Sequence, residues 1–313
     1  MSDSLKSNSL ASKSLVSKTK DWTGRTGGST LGQKALLFLF HFHNVTVGYA
    51  ILSLVVPFYM LFARKGYMAI YRYFRHQHRY GRLKAFCKTY QNHFVFGQCM
   101  LDRFAIYAGR RNFFKVEITG NEHFLRLLDG NKGFVAASSH TGNFELGGYL
   151  MRQEKKRIYA TVYGEEAKEL MSKRITMLGL NNIYTVPVTN DMSHIFALNE
   201  ALKNGEIVSM PCDRNFGSAK TVECDFLNDK ADFPQGAFAL AAMFDVPVIT
   251  IFVMKASLSK YRVYVCPLST ENYGHLKKQE KISSLAQSFA SELENIVRKY
   301  PEQWFNFYNF WKQ

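Results

Sequence analysis

The sequence predicts an α/β fold: a central, mainly parallel sheet with helices on both faces, preceded by an N-terminal helical segment that is strongly apolar. Three observations carry this reading. From about residue 113 onward, short strand-like apolar runs alternate with helix-length amphipathic runs, the pattern of a parallel sheet with crossover helices. Residues 35–63 contain no Asp, Glu, Lys or Arg. The length, 313 residues, is enough for one large core with an appendage.

Taken in order, residues 1–34 form a basic tail. Residues 1–30 are rich in Ser, Lys, Thr and Gly without a sustained apolar period, so they are expected to be mostly disordered, with Trp22 suited to a membrane interface. The apolar run 35–63 is bounded by Lys34 and by Arg64-Lys65. It exceeds the roughly 20 apolar residues that cross a bilayer, and both it and the tail before it are too long for a signal peptide. His41, His43, Asn44, Gly48 and Pro57 interrupt it, and positive charge on both sides leaves its orientation open. A membrane-embedded helix or re-entrant hairpin is the expectation, and a buried helix pair is the alternative. Residues 66–108 have a helical pattern with aromatics on repeating faces, so 35–112 is read as a membrane-associated helical region. The remaining domain, 113–313, has strand-like runs at 114–119, 133–139, 157–163, 182–188, 206–211, 246–254 and 261–265. Its helix-like runs are 122–129, 144–153, 165–179, 191–204, 235–244 and 278–299. In such a sheet, ligands sit beyond the carboxyl ends of strands, where His140, Tyr163 and Asp213 fall.

The formal net charge is +15, and its excess is concentrated. Residues 64–111 hold eleven Lys and Arg against the single acid Asp102. A basic, aromatic-rich stretch suits nucleic acid, an anionic membrane or an acidic protein. No nucleic-acid motif accompanies it, and the adjacent apolar run favours membrane. Five cysteines, an odd number without a Cys-x-x-Cys pair, fit a reducing compartment and argue against a disulfide framework or a zinc site. No glycine-rich phosphate loop is present, and nothing in the sequence calls for a cofactor.

The most informative stretch is His140-Thr141-Gly142-Asn143-Phe144-Glu145, directly after the strand-like 133–139. Gly142-Asn143 signals a turn and helix start, which puts Glu145 in the first turn of the helix 144–153. A histidine in a strand-to-helix loop with a carboxylate one turn on supports a relay: the carboxylate holds one imidazole nitrogen and the other takes a proton from a hydroxyl.

This His-x4-Glu motif resembles the first block of the lysophospholipid and glycerolipid acyltransferase superfamily. Three further stretches make the chain similar to the lipid A biosynthesis (late) acyltransferases. They are Arg174 followed by Leu178-Gly179; the run from Leu202-Lys203-Asn204-Gly205 through Pro211-Cys212-Asp213-Arg214-Asn215-Phe216-Gly217 and Asp225-Phe226 to Pro234-Gln235-Gly236; and Tyr300-Pro301-Glu302-Gln303-Trp304. They follow the family's order over roughly residues 115 to 310. The resemblance implies catalysis by His140 and Glu145, with Arg174, Asp213, Arg214 and Gly236 binding substrate, and no metal. It implies transfer of a fatty acyl group from an acyl carrier protein thioester, or less readily coenzyme A, to a hydroxyl of a lipid or lipid-like acceptor. The enzyme would work at the inner membrane with its catalytic domain facing the cytoplasm. Where the family commonly has Asp-Gln-Asp-Tyr-Gly and a later His-Arg-Arg, this chain has Asp213-Arg214-Asn215-Phe216-Gly217 and Tyr308-Asn309-Phe310. The loss of two fixed cations argues against a phosphorylated disaccharide as acceptor. Trp22-Thr23-Gly24-Arg25-Thr26-Gly27-Gly28 also resembles members from clusters for acylated pigments such as aryl polyenes. Two other readings use the same residues differently: an acyl-thioester hydrolase, with water as the acceptor, and a catalytically silent membrane-binding protein. Phe226, Phe233 and Phe238 fit either an acyl pocket or the core.

Overall fold

The computed structural model describes residues 45–147, 154–162, 182–188, 193–215, 220–268 and 276–311. The described residues open with three helices, α1 (Val45–Phe62), α2 (Arg64–His76) and α3 (Arg82–Tyr107). It continues through β1 (Lys115–Thr119), α4 (Asn121–Asp129), β2 (Phe134–Ser138), β3 (Ile158–Val162) and β4 (Ile183–Pro187). Next come α5 (Ser193–Lys203), β5 (Ile207–Pro211), β6 (Thr221–Phe226), β7 (Asp229–Pro234) and α6 (Gly236–Phe244). β8 (Val248–Ser257), β9 (Lys260–Leu268) and α7 (Lys278–Lys299) follow. The helix expected at 165–179 lies outside the described residues.

Seven strands form one sheet in the order β1-β9-β8-β2-β5-β3-β4, with β8 and β9 the antiparallel pair and every other neighbour parallel. The fold class is the expected one. β2 is buried almost throughout because it sits in mid-sheet with both faces covered, which explains its unbroken apolar sequence. Helices α5, α6 and α7 pack on one face around Val135, Ala137, Val208 and Phe252. Helices α1, α3 and α4 cover the other, around Phe134, Ala136, Ile207, Ile249 and Val263.

Two elements differ from the sequence reading. A separate antiparallel hairpin, β6–β7, spans the region that the sequence left without secondary structure. Its signal is strict alternation in Thr221–Phe226 and a two-residue turn, Leu227-Asn228, in which both residues have positive φ, the conformation that matches strand twist. The helix expected at 144–153 starts as a 3-10 turn, Phe144–Leu146, and residues 148–153 lie outside the described ones.

Helix α1 is long and apolar enough to cross a membrane, with a mean hydropathy of 2.0. It packs along α3, where Gly97 lets Leu52 approach so closely that a Cβ there would lie 2.6 Å from the leucine side chain. Its opposite side exposes Leu54, Phe58, Leu61 and Phe62. This fits a membrane-associated segment that is also part of the folded body.

Phe226, Phe233 and Phe238 are fully buried in the larger core cluster, Phe233 and Phe238 packed against Phe289 and Phe226 against Phe233 and Trp304. That settles their role as core. Phe233→Ala is expected to cost about 3–5 kcal/mol of stability, as large-to-small core changes do. Chemical denaturation measures this, and a loss below about 1 kcal/mol would be incompatible with such burial.

Candidate active site

The site is built where β2 and β5 end side by side. Their register pairs Ser138 with Pro211, so His140 and Asp213 each lie two residues beyond paired strand ends. The Cys212 N–H donates to the Ser138 carbonyl at 2.8 Å and extends the ladder one step further. The imidazole Nδ1 of His140 then meets Asp213 Oδ1 at 2.7 Å, and the His140 backbone N–H donates to Oδ2 at 2.8 Å. Trp304 Nε1–H donates to the same Oδ2 at 3.1 Å. Asp213 is 1% exposed and Trp304 fully buried. An ionised carboxylate only accepts, so the proton of a neutral His140 ring sits on Nδ1, and Nε2 is the proton-exchanging nitrogen.

The loop carrying His140 is held by the C-terminal segment. The Phe305 N–H donates to the His140 carbonyl at 2.9 Å, the Gly142 N–H to the Gln303 carbonyl at 2.7 Å, and Thr141 bridges to Trp304. The Gln303 side chain is locked in turn, accepting from the Lys255 N–H and donating to its carbonyl at 2.9 and 2.8 Å. Gly142 has φ +52°, and a Cβ there would lie 2.1 Å from the Val253 carbonyl oxygen. The next residue, Asn143, donates its N–H to that same oxygen at 2.7 Å. Glycine is required because the backbone turns left-handed while pressed onto β8. The Leu146 N–H donates to the Asn143 carbonyl at 2.8 Å and closes the 3-10 turn Phe144–Leu146.

Burial pushes the His140 pKa below the ordinary histidine value, and the Arg214 guanidinium acts in the same direction. The Asp213 and Glu145 carboxylates oppose this without overcoming it. For Asp213, burial raises the carboxyl pKa, but the His140 ring and Arg214 outweigh it, and the group stays below the ordinary carboxylate value. The pair therefore rests as an Asp carboxylate with a neutral imidazole.

From sequence alone, Glu145 is expected to hold the imidazole and Asp213 to have a part in binding substrate. The structure puts Asp213 on Nδ1, with both of its oxygens engaged by protein donors. Glu145 forms an ion pair with Arg103, Nη1 to Oε1 at 2.5 Å, and reaches His140 electrostatically. Arg103 Nε–H also donates to Asn143 Oδ1 at 3.0 Å. Arg214 donates from Nη2 to the Phe305 carbonyl at 2.6 Å, so it braces the C-terminal segment beside Asp213. Gly236 opens α6 beside Met210 of β5, on the α5–α7 side of the sheet. The bonds that hold His140 and Asp213 come from elsewhere. Arg174 lies outside the described residues.

Two residues were missed as site members. Arg103 was read only as one of the basic residues of 64–111, yet it directly follows the single acid there, Asp102. Trp304 was seen in its motif without a role. An apolar cavity of about 120 Å³ lies on the α4 side of the sheet, with Glu145, Phe144 and Ser138 in its wall. Much of the rest of its lining comes from alternate residues of four parallel strands, Ala136, Ile158, Ala160, Ile183, Thr185, Ile207 and Ser209, with Phe124 of α4 and Ile251 of β8 beside them. Phe144 joins cavity to site, its ring standing edge-on 5.2 Å from the His140 ring.

Residues 72–313 match the family of bacterial lipid A biosynthesis acyltransferases. The chain belongs to that family. No curated protein matches it. The match starts within α2 and so takes in α3 with its Arg103. Membership identifies an acyltransferase of lipid biosynthesis.

Two outcomes follow for this acyltransferase. Gly142→Ala adds about 1–2 kcal/mol of left-handed strain and a clash with β8, so the loop must move. The expected result is a loss of kcat of about 100-fold or more, as misplacement by an ångström produces, in a protein that still unfolds cooperatively. Wild-type turnover would show that the loop geometry is dispensable. The acid limb of kcat/KM should also fall below pH 6.5, because a base with a lowered pKa stays unprotonated as pH drops through that value. A limb above 6.5 would contradict the neutral resting state.

Proposed function

We propose that this acyltransferase moves a fatty acyl group from an acyl carrier protein thioester to a hydroxyl of a lipid or lipid-like acceptor, with His140 as general base. The observation that carries the reading is the buried Asp213–His140 pair, which fixes the tautomer a base needs. The acceptor hydroxyl gives its proton to His140 Nε2 as its oxygen attacks the thioester carbonyl carbon. The tetrahedral intermediate collapses with cleavage of the C–S bond, and the imidazolium returns the proton to the departing thiolate. Asp213 stabilises the transient imidazolium, as a buried carboxylate does in a catalytic triad. Glu145, in the cavity wall and near the imidazole, adds negative charge on the same cation.

The cavity supports a place for the acyl chain, since it is lined by Ala and Ile side chains and runs up to Phe144 and Glu145. The donor assignment rests on charge. Arg72, Arg79, Arg82 and Lys84 are exposed on α2, α3 and the turn between them, suited to steering an acidic carrier protein. The same cations, which follow the apolar helix α1 in the chain, support work at the cytoplasmic face of the inner membrane. At the acceptor side, the segment that commonly reads His-Arg-Arg is aromatic here. Tyr308 OH donates to the Asp213 carbonyl at 3.4 Å, and Phe310 packs on Trp304 and Phe233. These contacts favour an acceptor recognised without two phosphate-binding cations.

The test is transfer of labelled acyl groups from acyl carrier protein to a lipid extract by the purified full chain. His140→Ala should abolish product in a folded protein, and near-normal turnover would sink the mechanism. Reversing Arg72, Arg79 and Arg82 to Glu should raise KM for the carrier-protein thioester about tenfold or more, with little change for a short soluble thioester. Arg75 is left intact because its guanidinium donates to the Tyr80 carbonyl. Preference of the wild type for acyl coenzyme A would overturn the donor assignment.

A further inference from the structure

Directly before Arg103, Asp102 is completely buried and holds three donors from three other elements. Lys255 Nζ of β8 lies 2.6 Å from Oδ2, Tyr261 OH of β9 donates to the same oxygen, and Tyr49 OH of α1 donates to Oδ1. Lys255 also donates to the Leu258 carbonyl at 3.1 Å and lies 3.0 Å from Tyr49 OH. The cluster joins the apolar helix, α3 and the sheet at one point. It also reaches the site, because Asn143 Nδ2–H donates to Tyr261 OH at 3.2 Å and to the Cys99 carbonyl at 3.0 Å. Arg103 grips the same loop from the other side, Nε on Asn143 and Nη1 on Glu145.

A buried ion pair is a weak source of net stability but a strict fixer of register, since any slip strands a charge without its partner. Asp102 therefore sets how α3 is rolled against the sheet, and that roll aims the Arg103 side chain. The planar guanidinium, with two donors in fixed geometry, sets the spacing of Asn143 and Glu145 as a single ammonium does not. We propose that Asp102 and Arg103 are positioning residues for acyl transfer, and that Tyr49 makes the seating of the apolar helix part of the geometry of the His140 loop. This rests on the acyl-transfer reading of the site.

The experiment uses the full chain in detergent with acyl carrier protein thioester as donor. Arg103→Ala is expected to lower kcat about 100-fold with KM for the donor within about twofold, since it removes an interaction that serves the chemical step. Millimolar guanidinium, but not equal urea, should restore kcat saturably, a response that a general packing defect does not give. If Arg103→Ala does not fold, Arg103→Lys decides: it keeps the charge and should lose about tenfold in kcat for want of the second donor. Tyr49→Phe should lower kcat several-fold alone and add nothing in the Arg103→Ala background, the non-additivity of residues in one network. Unchanged kcat in Arg103→Ala or Arg103→Lys, with His140→Ala inactive, overturns the positioning role and leaves the acyl-transfer reading standing. Additive losses overturn the link to Tyr49. Activity in His140→Ala overturns the underlying reading itself.

Discussion

The Asp213 carboxylate is the constraint on which the site depends. It is buried at the meeting point of the β2 loop, the end of β5 and the C-terminal segment, and it accepts from the His140 ring, the His140 backbone and the Trp304 indole. A carboxylate without partners at that depth would be costly, so each of the three segments is held in place by the need to satisfy it. The cost of breaking any one contact exceeds the worth of a surface hydrogen bond, because it leaves buried charge undersatisfied. That is how residues 73 positions apart in sequence form one hydrogen-bonded unit.

The two faces of the sheet are packed differently. The face covered by α5, α6 and α7 is a continuous aromatic and aliphatic core around Phe233, Phe238 and Phe289. The face toward α4 contains the cavity, lined by small and branched side chains at alternate positions of β2, β3, β4 and β5. Parallel pairing makes this possible, since in-register strands present Ala136, Ser209 and Ala160 side by side on one face. His140 and Glu145 sit at the carboxyl ends of those strands, where such sheets place ligands.

Much of the fold was legible in the sequence, because buried parallel strands such as Phe134–Ser138 are unbroken apolar runs and Lys278–Lys299 has a clear helical period. The β6–β7 hairpin was not, since its turn lacks the Asn-Gly or Asp-Gly signature and its charged residues resemble loop. At the site, His140 was legible from its loop and motif. Its partner was not: the local pattern points to Glu145, five residues on, whereas the Asp213 contact follows from the register of β2 with β5. Arg103 was hidden for the same reason, as one cation among many on a helix whose roll only the tertiary packing fixes. Burial reverses its apparent role, from a solvated charge to a clamp 12% exposed.

The most direct test of the central claim is nitrogen NMR of the His140 ring in specifically labelled protein across pH. The expected result is a neutral ring at pH 7 with its proton on Nδ1, titrating below 6.5, with that tautomer preference lost in Asp213→Asn. A ring protonated on Nε2, or one that titrates well above 6.5, would contradict it.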